Sequence, residues 1–294
     1  MLSGTLRWWL LVTLLLVWAA PAPALTAKTI VINPLHIDLP AEQDYPQQLL
    51  QAALAATATE GELVVARFPL QMTSSRIIHE LAKDGAIDVG VLASGHWQHP
   101  QLRPIFIPIR RGLLGWRLML SRPERVESIR AHLLGGSPLR TLTTGFGEDW
   151  VDLSIIRANF AHVAVAQTSQ ELYQQLSTGA FDFYSRSAIE LWREVGVLKL
   201  DLTQFAIVPD VALYYPLADF FYVHRDQEAL AQRIERGLTM LYESGEFQAL
   251  LEQFHGEDLR RSQLAQRRIF QLTDPGWSLS EPPVAALWWY QPGQ

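Results

Sequence analysis

The sequence predicts an α/β fold of two lobes joined by two crossings, and three observations carry that expectation. Strand and helix patterns alternate along residues 28–272, which places helices on the faces of a mostly parallel sheet. The alternation falls into two sets, parted by extended runs near residues 113–122 and 206–223. The chain has 294 residues, enough for two lobes of ordinary domain size. A pair of crossings makes a hinge about which lobes close on a ligand.

The first set opens with a β-branched strand over Lys28 to Asn33. A helix follows over Tyr45 to Thr59, with Pro46 in its first turn and Leu49, Leu50, Ala53 and Leu54 as its apolar stripe. Glu62 to Phe68 reads as strand, and Thr73 to Lys83 as a helix capped by Thr73 or Ser74. Ala86 to Leu92 is a third strand; Pro104 to Ile109 and Leu113 to Ser121 are extended.

The second set begins at Ser121-Arg-Pro-Glu124, whose spacing has the form of a capping box. Strands are expected over Leu139 to Thr144, His162 to Ala166 and Phe181 to Ser185. Helices are expected within Gly147 to Phe160, after a second capping box at Thr168-Ser-Gln-Glu171, and over Ser187 to Val195. Ala206 to Arg225 runs extended. Asp226 then caps a long helix whose apolar face holds Leu230, Ile234, Leu238 and Leu241. Two further helices are expected, Glu246 to His255 and Asp258 to about Leu272, before an irregular Pro- and Trp-rich tail.

Composition narrows the function. Net charge is −6 with no long basic block, which disfavours nucleic-acid binding because phosphate neutralisation needs clustered Lys and Arg. Residues 1–27 read as a secretory signal, with Arg7 in the charged region, an apolar run from Trp8 to Trp18, and cleavage after Ala24 or Ala27. An uncleaved anchor is the alternative; the run of eleven is short for a span of about 20 residues. The chain has no cysteine, so disulfides, thiolate metal sites, a Cys nucleophile and lipobox attachment are excluded. The expected location is the periplasm.

Three segments carry a family resemblance. Asp84-Gly-Ala-Ile-Asp88, Gln170 to Asp182 (QELYQQLSTGAFD) and Leu230 to His255 stand in the order and spacing of a type II periplasmic solute-binding protein, the superfamily of amino-acid receptors of ABC transporters. The resemblance covers Lys28 to about Leu272. It implies a two-lobed type II periplasmic-binding-protein fold with two hinge crossings. Lobe 1 would take residues 28–115 and 216–272, lobe 2 residues 116–215, and the tail 273–294. The family's amino-acid clamp does not carry over. Spacing from Asp88 puts Trp97 and Pro100 where the receptors have Thr and Arg, and Arg186 where they have an ammonium-binding Asp. The resemblance therefore implies a capture mechanism and argues against an ordinary α-amino acid as ligand. With a fixed cation at Arg186, the expectation is a monomer, without cofactor or metal, that captures a small polar, anionic solute by lobe closure for a membrane transporter or sensor. A dehydratase-like enzyme and a ligand-free signalling adaptor are the alternatives.

The candidate ligand residues follow from strand ends and turns. Arg186 closes the strand Phe181 to Ser185, at the end that faces the crevice of an open α/β sheet. Its guanidinium suits a carboxylate or phosphate, and its alternative is an ion pair with Glu190. Ser185 and Tyr184 flank it. Thr143 to Trp150 reads as a strand-to-helix turn, in which Thr144, Gly145 and Gly147 would receive an oxyanion, or as an ordinary turn capped by Asp149. Trp97, Phe68 and Trp150 are candidates for stacking on a flat ligand, or for packing. Arg76 opens a helix that points at the cleft or lies on the surface. His96 and His99 lack the third partner a metal needs. No G-x-S-x-G, H-E-x-x-H or phosphate loop is present.

Overall fold

The computed structural model describes residues 28–35, 40–83, 85–273 and 283–293. The signal over residues 1–27, Asp84 and the stretch 274–282 lie outside them.

The first set builds a two-stranded and a three-stranded ladder, which one bridge joins into a first sheet. Strand β1 (Lys28–Ile32) pairs in parallel with β2 (Leu63–Arg67). A parallel bridge from Ile32 to Val89 leads to β3 (Gly90–Ala93). Two helices connect these strands, α1 (Tyr45–Ala56) and α2 (Ser74–Ala82). Asp44 caps α1 by accepting from the Gln47 N–H, and Thr73 caps α2 by accepting from the Arg76 N–H. The short β4 (Leu102–Pro104) forms one edge.

The chain then crosses. Strand β5 (Trp116–Ser121) enters a second sheet, where α3 (Pro123–Leu134), β6 (Thr143–Gly147), α4 (Leu153–Asn159), β7 (His162–Ala166), α5 (Ser169–Thr178), β8 (Phe183–Ser187) and α6 (Leu191–Val197) follow. Strands β6, β7 and β8 are parallel, whereas β5 is antiparallel to β8. The returning run contains β9 (Ala206–Ile207), which pairs with β5, and β10 (Val211–Tyr214). Leu213 opposes Arg117, and Tyr214 opposes Trp116. The two crossings are therefore hydrogen-bonded to each other. Strand β11 (Asp219–His224) rejoins the first sheet between β3 and β4.

Two long helices end the first lobe, α7 (Glu228–Ser244) and α8 (Glu246–Ser262). The stripe Leu49, Leu50, Ala53 and Leu54 of α1 is fully buried and packs against α7. The approach is close enough that a methyl group on Gly237 would stand 2.0 Å from the Ala53 carbonyl oxygen. That contact explains a glycine inside a helix, where it costs about 1 kcal/mol relative to alanine.

Several local expectations are corrected. Ser121 does not cap α3; its hydroxyl donates to the Asp182 carbonyl, and Arg122 holds the cap position. At Thr168 only half of the box forms, because Glu171 accepts from the Gln167 N–H and not from Thr168. Gln227, not Asp226, precedes α7. The two expected helices over 246–272 are one helix, α8, followed by strand β12 (Arg268–Gln271). Gln263 in the left-handed region stops α8. Residues 268–271, counted with the first lobe from sequence, pair in parallel with β10 and so extend the second sheet.

The described tail lies on its own chain. Trp288 packs on Tyr242 and Phe247, and Tyr290 meets Trp116 edge-on. Arg111 donates to the carbonyls of Leu287 and Trp289 and to the Gln248 side chain. Among the described residues no helix is long and apolar enough to cross a membrane.

Candidate functional site

A cavity of about 490 Å³ opens where the two lobes face each other. The first lobe supplies Ser74 and Ser75 from the first turn of α2, Ala93 from the end of β3, and His96. The crossings supply Leu114 and Leu217. The second lobe supplies Arg117, Asp149, Trp150, Asp152, Ser169, Arg186, Glu190, Arg193 and Glu194. A second hollow of about 370 Å³ shares Glu190 and Arg193 with it and continues towards Tyr45, Arg110 and α8. The gap thus spans the hinge, with Glu190 and Arg193 as its partition.

Its floor is made of arginines that already hold carboxylates. Arg186 is 5% exposed. Its Nε donates to Glu194 Oε2 at 2.9 Å, its Nη2 donates to Glu194 Oε1, and Glu190 stands 3.3 Å away. The Trp150 ring covers the guanidinium at 4.6 Å, and the Tyr184 ring lies at 5.5 Å. Arg117 donates through Nη2 to Asp152 at 2.5 Å, and the Tyr215 hydroxyl donates to the same oxygen at 2.6 Å. Arg117 lines the cavity, and its Nε is buried with no hydrogen-bond partner. At the hinge Arg110 donates through Nε and Nη2 to Asp219 Oδ2, at 2.8 and 2.7 Å.

These pairs set the titration of the floor. Burial raises the Glu190 carboxyl, but the guanidinium groups of Arg186, Arg117, Arg110 and Arg193 outweigh it and bring the pKa to about 2. Burial pushes Asp219 up against the pull of Arg110. Burial, with a smaller contribution from His99, lowers His96, so the imidazole is neutral at pH 7.

The sequence-derived candidates fall in several places. Arg186 lines the cavity. Tyr184 is fully buried behind it, and its hydroxyl donates to Ser169 Oγ, which does line the wall. Ser185 is buried in β8, and its Oγ has no partner. Thr144, Gly145 and Gly147 belong to strand β6 and not to a turn opening a helix, which begins only at Leu153. Thr144 donates to the Gly145 carbonyl. Phe181 covers Gly145, and Trp150 covers Gly147, where a methyl group would stand 2.4 Å from the indole. No backbone there is bare for an oxyanion. Trp97 packs edge-on against Phe106, and Phe68 joins the same apolar cluster. Arg76 lies on the surface, paired with Glu80.

The sequence alone does not gather Arg117, Asp152, Glu194, Ser74 and Ser75 into one site. Arg117 carried a readable signal, a charge inside the apolar run WRLMLS. Glu194 did not. It meets Arg186 because α6 starts at Leu191, after a turn, and so returns Glu194 to the end of β8. Among the described residues no group of three or more metal-ligating side chains converges.

No protein-family model and no curated protein matches the chain. Solved structures do. The VFT2 domain of BvgS from Bordetella pertussis, a double mutant, aligns with a TM-score of 0.56 and 13% identity, over 78% of this chain and 93% of that one. A histidine kinase sensor domain with similarity to periplasmic binding proteins aligns at 0.54 and 16%, over 78% and 97%. An amino acid ABC transporter substrate-binding protein from Streptococcus pneumoniae, bound to L-arginine, aligns at 0.52 and 14%, over 78% and 94%. Two sheets, two paired crossings and these likenesses together give this chain the two-lobed type II periplasmic-binding-protein fold.

Proposed function

We propose that this chain is an exported receptor. It captures a small polar solute between its lobes and serves a membrane transporter or a membrane sensor. The observation that carries this reading is the cavity of about 490 Å³ walled by both lobes and lined with polar groups, a size suited to a small molecule. The structural likenesses include both a transporter's substrate-binding protein and a kinase's sensor domain. The signal-like residues 1–27 support a periplasmic location.

We infer further that the solute carries an anionic group, anchored by Arg117 more than by Arg186. Arg117 gives one nitrogen to Asp152, whereas two nitrogens of Arg186 are already engaged by Glu194. The hydroxyls of Ser74, Ser75 and Ser169 and the neutral His96 imidazole complete a polar lining. The enzyme alternative called for an acid with a raised pKa beside Arg186. Glu190 is instead lowered to about 2, which suits a fixed charge and not a proton carrier. The adaptor alternative called for Trp97 and Tyr184 to plug the gap, and both pack away from it.

The test is a screen of small polar metabolites against the purified protein by thermal shift, followed by calorimetry and solution scattering. A binder that stabilises by mass action and contracts the particle supports the receptor. Binding lost in Arg117→Lys supports the anion anchor, because Lys lacks the planar fork. A full screen without a hit, with a membrane partner that binds the solute-free protein, overturns the reading.

A further inference from the structure

The surroundings of Arg186 have the form of a recognition site for a guanidinium. Glu194 offers a two-pronged carboxylate, engaged by Nε and Nη2 together, the geometry in which a carboxylate reads a guanidinium's planar fork. The Tyr173 hydroxyl donates to Glu194 Oε2 at 3.0 Å and fixes its orientation. Trp150 closes one face at 4.6 Å, a distance at which a cation is attracted by the ring. The Trp150 ring stacks on Tyr184 and is itself braced edge-on by Phe146. It can lie there because residue 147 is glycine. Glu190 adds a second negative charge at 3.3 Å.

We propose that lobe 2 contains a guanidinium-binding site, built by Trp150, Glu194, Glu190 and Tyr184, and that the chain's own Arg186 occupies it. The cavity wall at this corner is therefore filled from within. Free guanidinium compounds must displace a tethered group whose binding is intramolecular, and they are disfavoured there. If the cleft is the capture site proposed above, its solute is then read by the remaining wall: Arg117, Ser74, Ser75, His96 and Ser169.

Removing the tether tests the site. Arg186→Ala leaves a buried carboxylate unpaired and should lower Tm by roughly 10 °C. Millimolar methylguanidinium should restore it in a saturable way, whereas methylammonium and sodium chloride at equal ionic strength should not. The double variant Arg186→Ala/Glu194→Gln should not respond, and neither should the wild type. A response of Arg186→Ala to methylammonium as large as to methylguanidinium, or a wild type that responds equally, overturns the proposal. If Arg186→Ala does not fold, the wild type carries the test through nitrogen NMR. The Arg186 Nε–H signal, assigned by its loss in Arg186→Lys, should exchange with water far more slowly than those of exposed arginines. Exchange as fast as theirs overturns the proposal. The solute screen uses the wild type, so its outcome and this one fail independently.

Discussion

The two lobes use one device to hold their sheets and then diverge at the wall each turns to the cleft. Gly85-Ala-Ile-Asp88 and Gly179-Ala-Phe-Asp182 are matching turns. Asp88 Oδ2 accepts from the Val31 N–H of β1 at 2.7 Å, and Asp182 Oδ2 accepts from the Thr143 N–H of β6 at 2.9 Å. In both lobes a carboxylate ties the end of one βα unit to the backbone of a neighbouring strand. The walls are unlike. The first lobe offers small neutral groups, Ser74, Ser75 and Ala93, with a neutral His96. The second offers arginines and carboxylates already joined in pairs. A paired, partly buried wall is preorganised and stiff, whereas hydroxyls on an exposed helix turn adapt cheaply. The difference assigns rigidity to lobe 2 and adaptable hydrogen bonding to lobe 1.

The largest effect should come from breaking the rigid wall. Asp152→Ala leaves Arg117 buried without its partner, and should cost about 3–5 kcal/mol in denaturant unfolding. A loss below about 1 kcal/mol would mean that the pair is solvated and the wall is not preorganised.

The shared device gives the next effect. Asp182 also accepts from the Thr143 hydroxyl and from Arg125, whereas among the described residues the Asp88 carboxylate accepts from the Val31 N–H. Asp182→Ala should therefore cost about 2–3 kcal/mol and Asp88→Ala about 1 kcal/mol. Equal losses would show that the matching turns do the same work despite unequal bonding.

Acid should act on the second wall. The Glu190 pKa falls from 4.5 to about 2 on folding. Its stabilisation is complete above the unfolded value and is lost as pH falls from about 4.5 towards 2. Glu190→Gln should flatten that acid limb of a stability-versus-pH curve, and an unchanged limb would mean the arginines do not reach it. Asp258, pushed up to about 6 chiefly by burial, has the opposite sign. It lowers stability as pH rises from about 4 through 6, so Asp258→Asn should be the more stable protein at pH 7 and the same as wild type near pH 3.

The smallest effect belongs to the first wall. Ser74→Ala and Ser75→Ala should leave stability within about 0.5 kcal/mol and alter only the affinity for a captured solute. A stability change as large as that of Asp152→Ala would erase the contrast between the walls.

Periodicity and turn chemistry were enough to show the α/β alternation, the stripe of α1, a cap of α2 at Thr73 or Ser74, the two crossings and Arg186 at the end of its strand. These are local properties, set by side-chain spacing along one segment and by which residues tolerate a turn. Whether 263–272 stays helical was decided by β10, which offered a free edge that β12 could pair with. Whether the Gly145 and Gly147 backbone stood bare was decided by Phe181 and Trp150. What Arg186 holds was decided by Glu194, eight residues on, through a turn whose geometry no spacing rule contains. A cation's place at a strand end is written in one segment, whereas its partner depends on where a second segment comes to rest. Close packing and the cost of burying an unpaired charge settle that choice only in the folded chain.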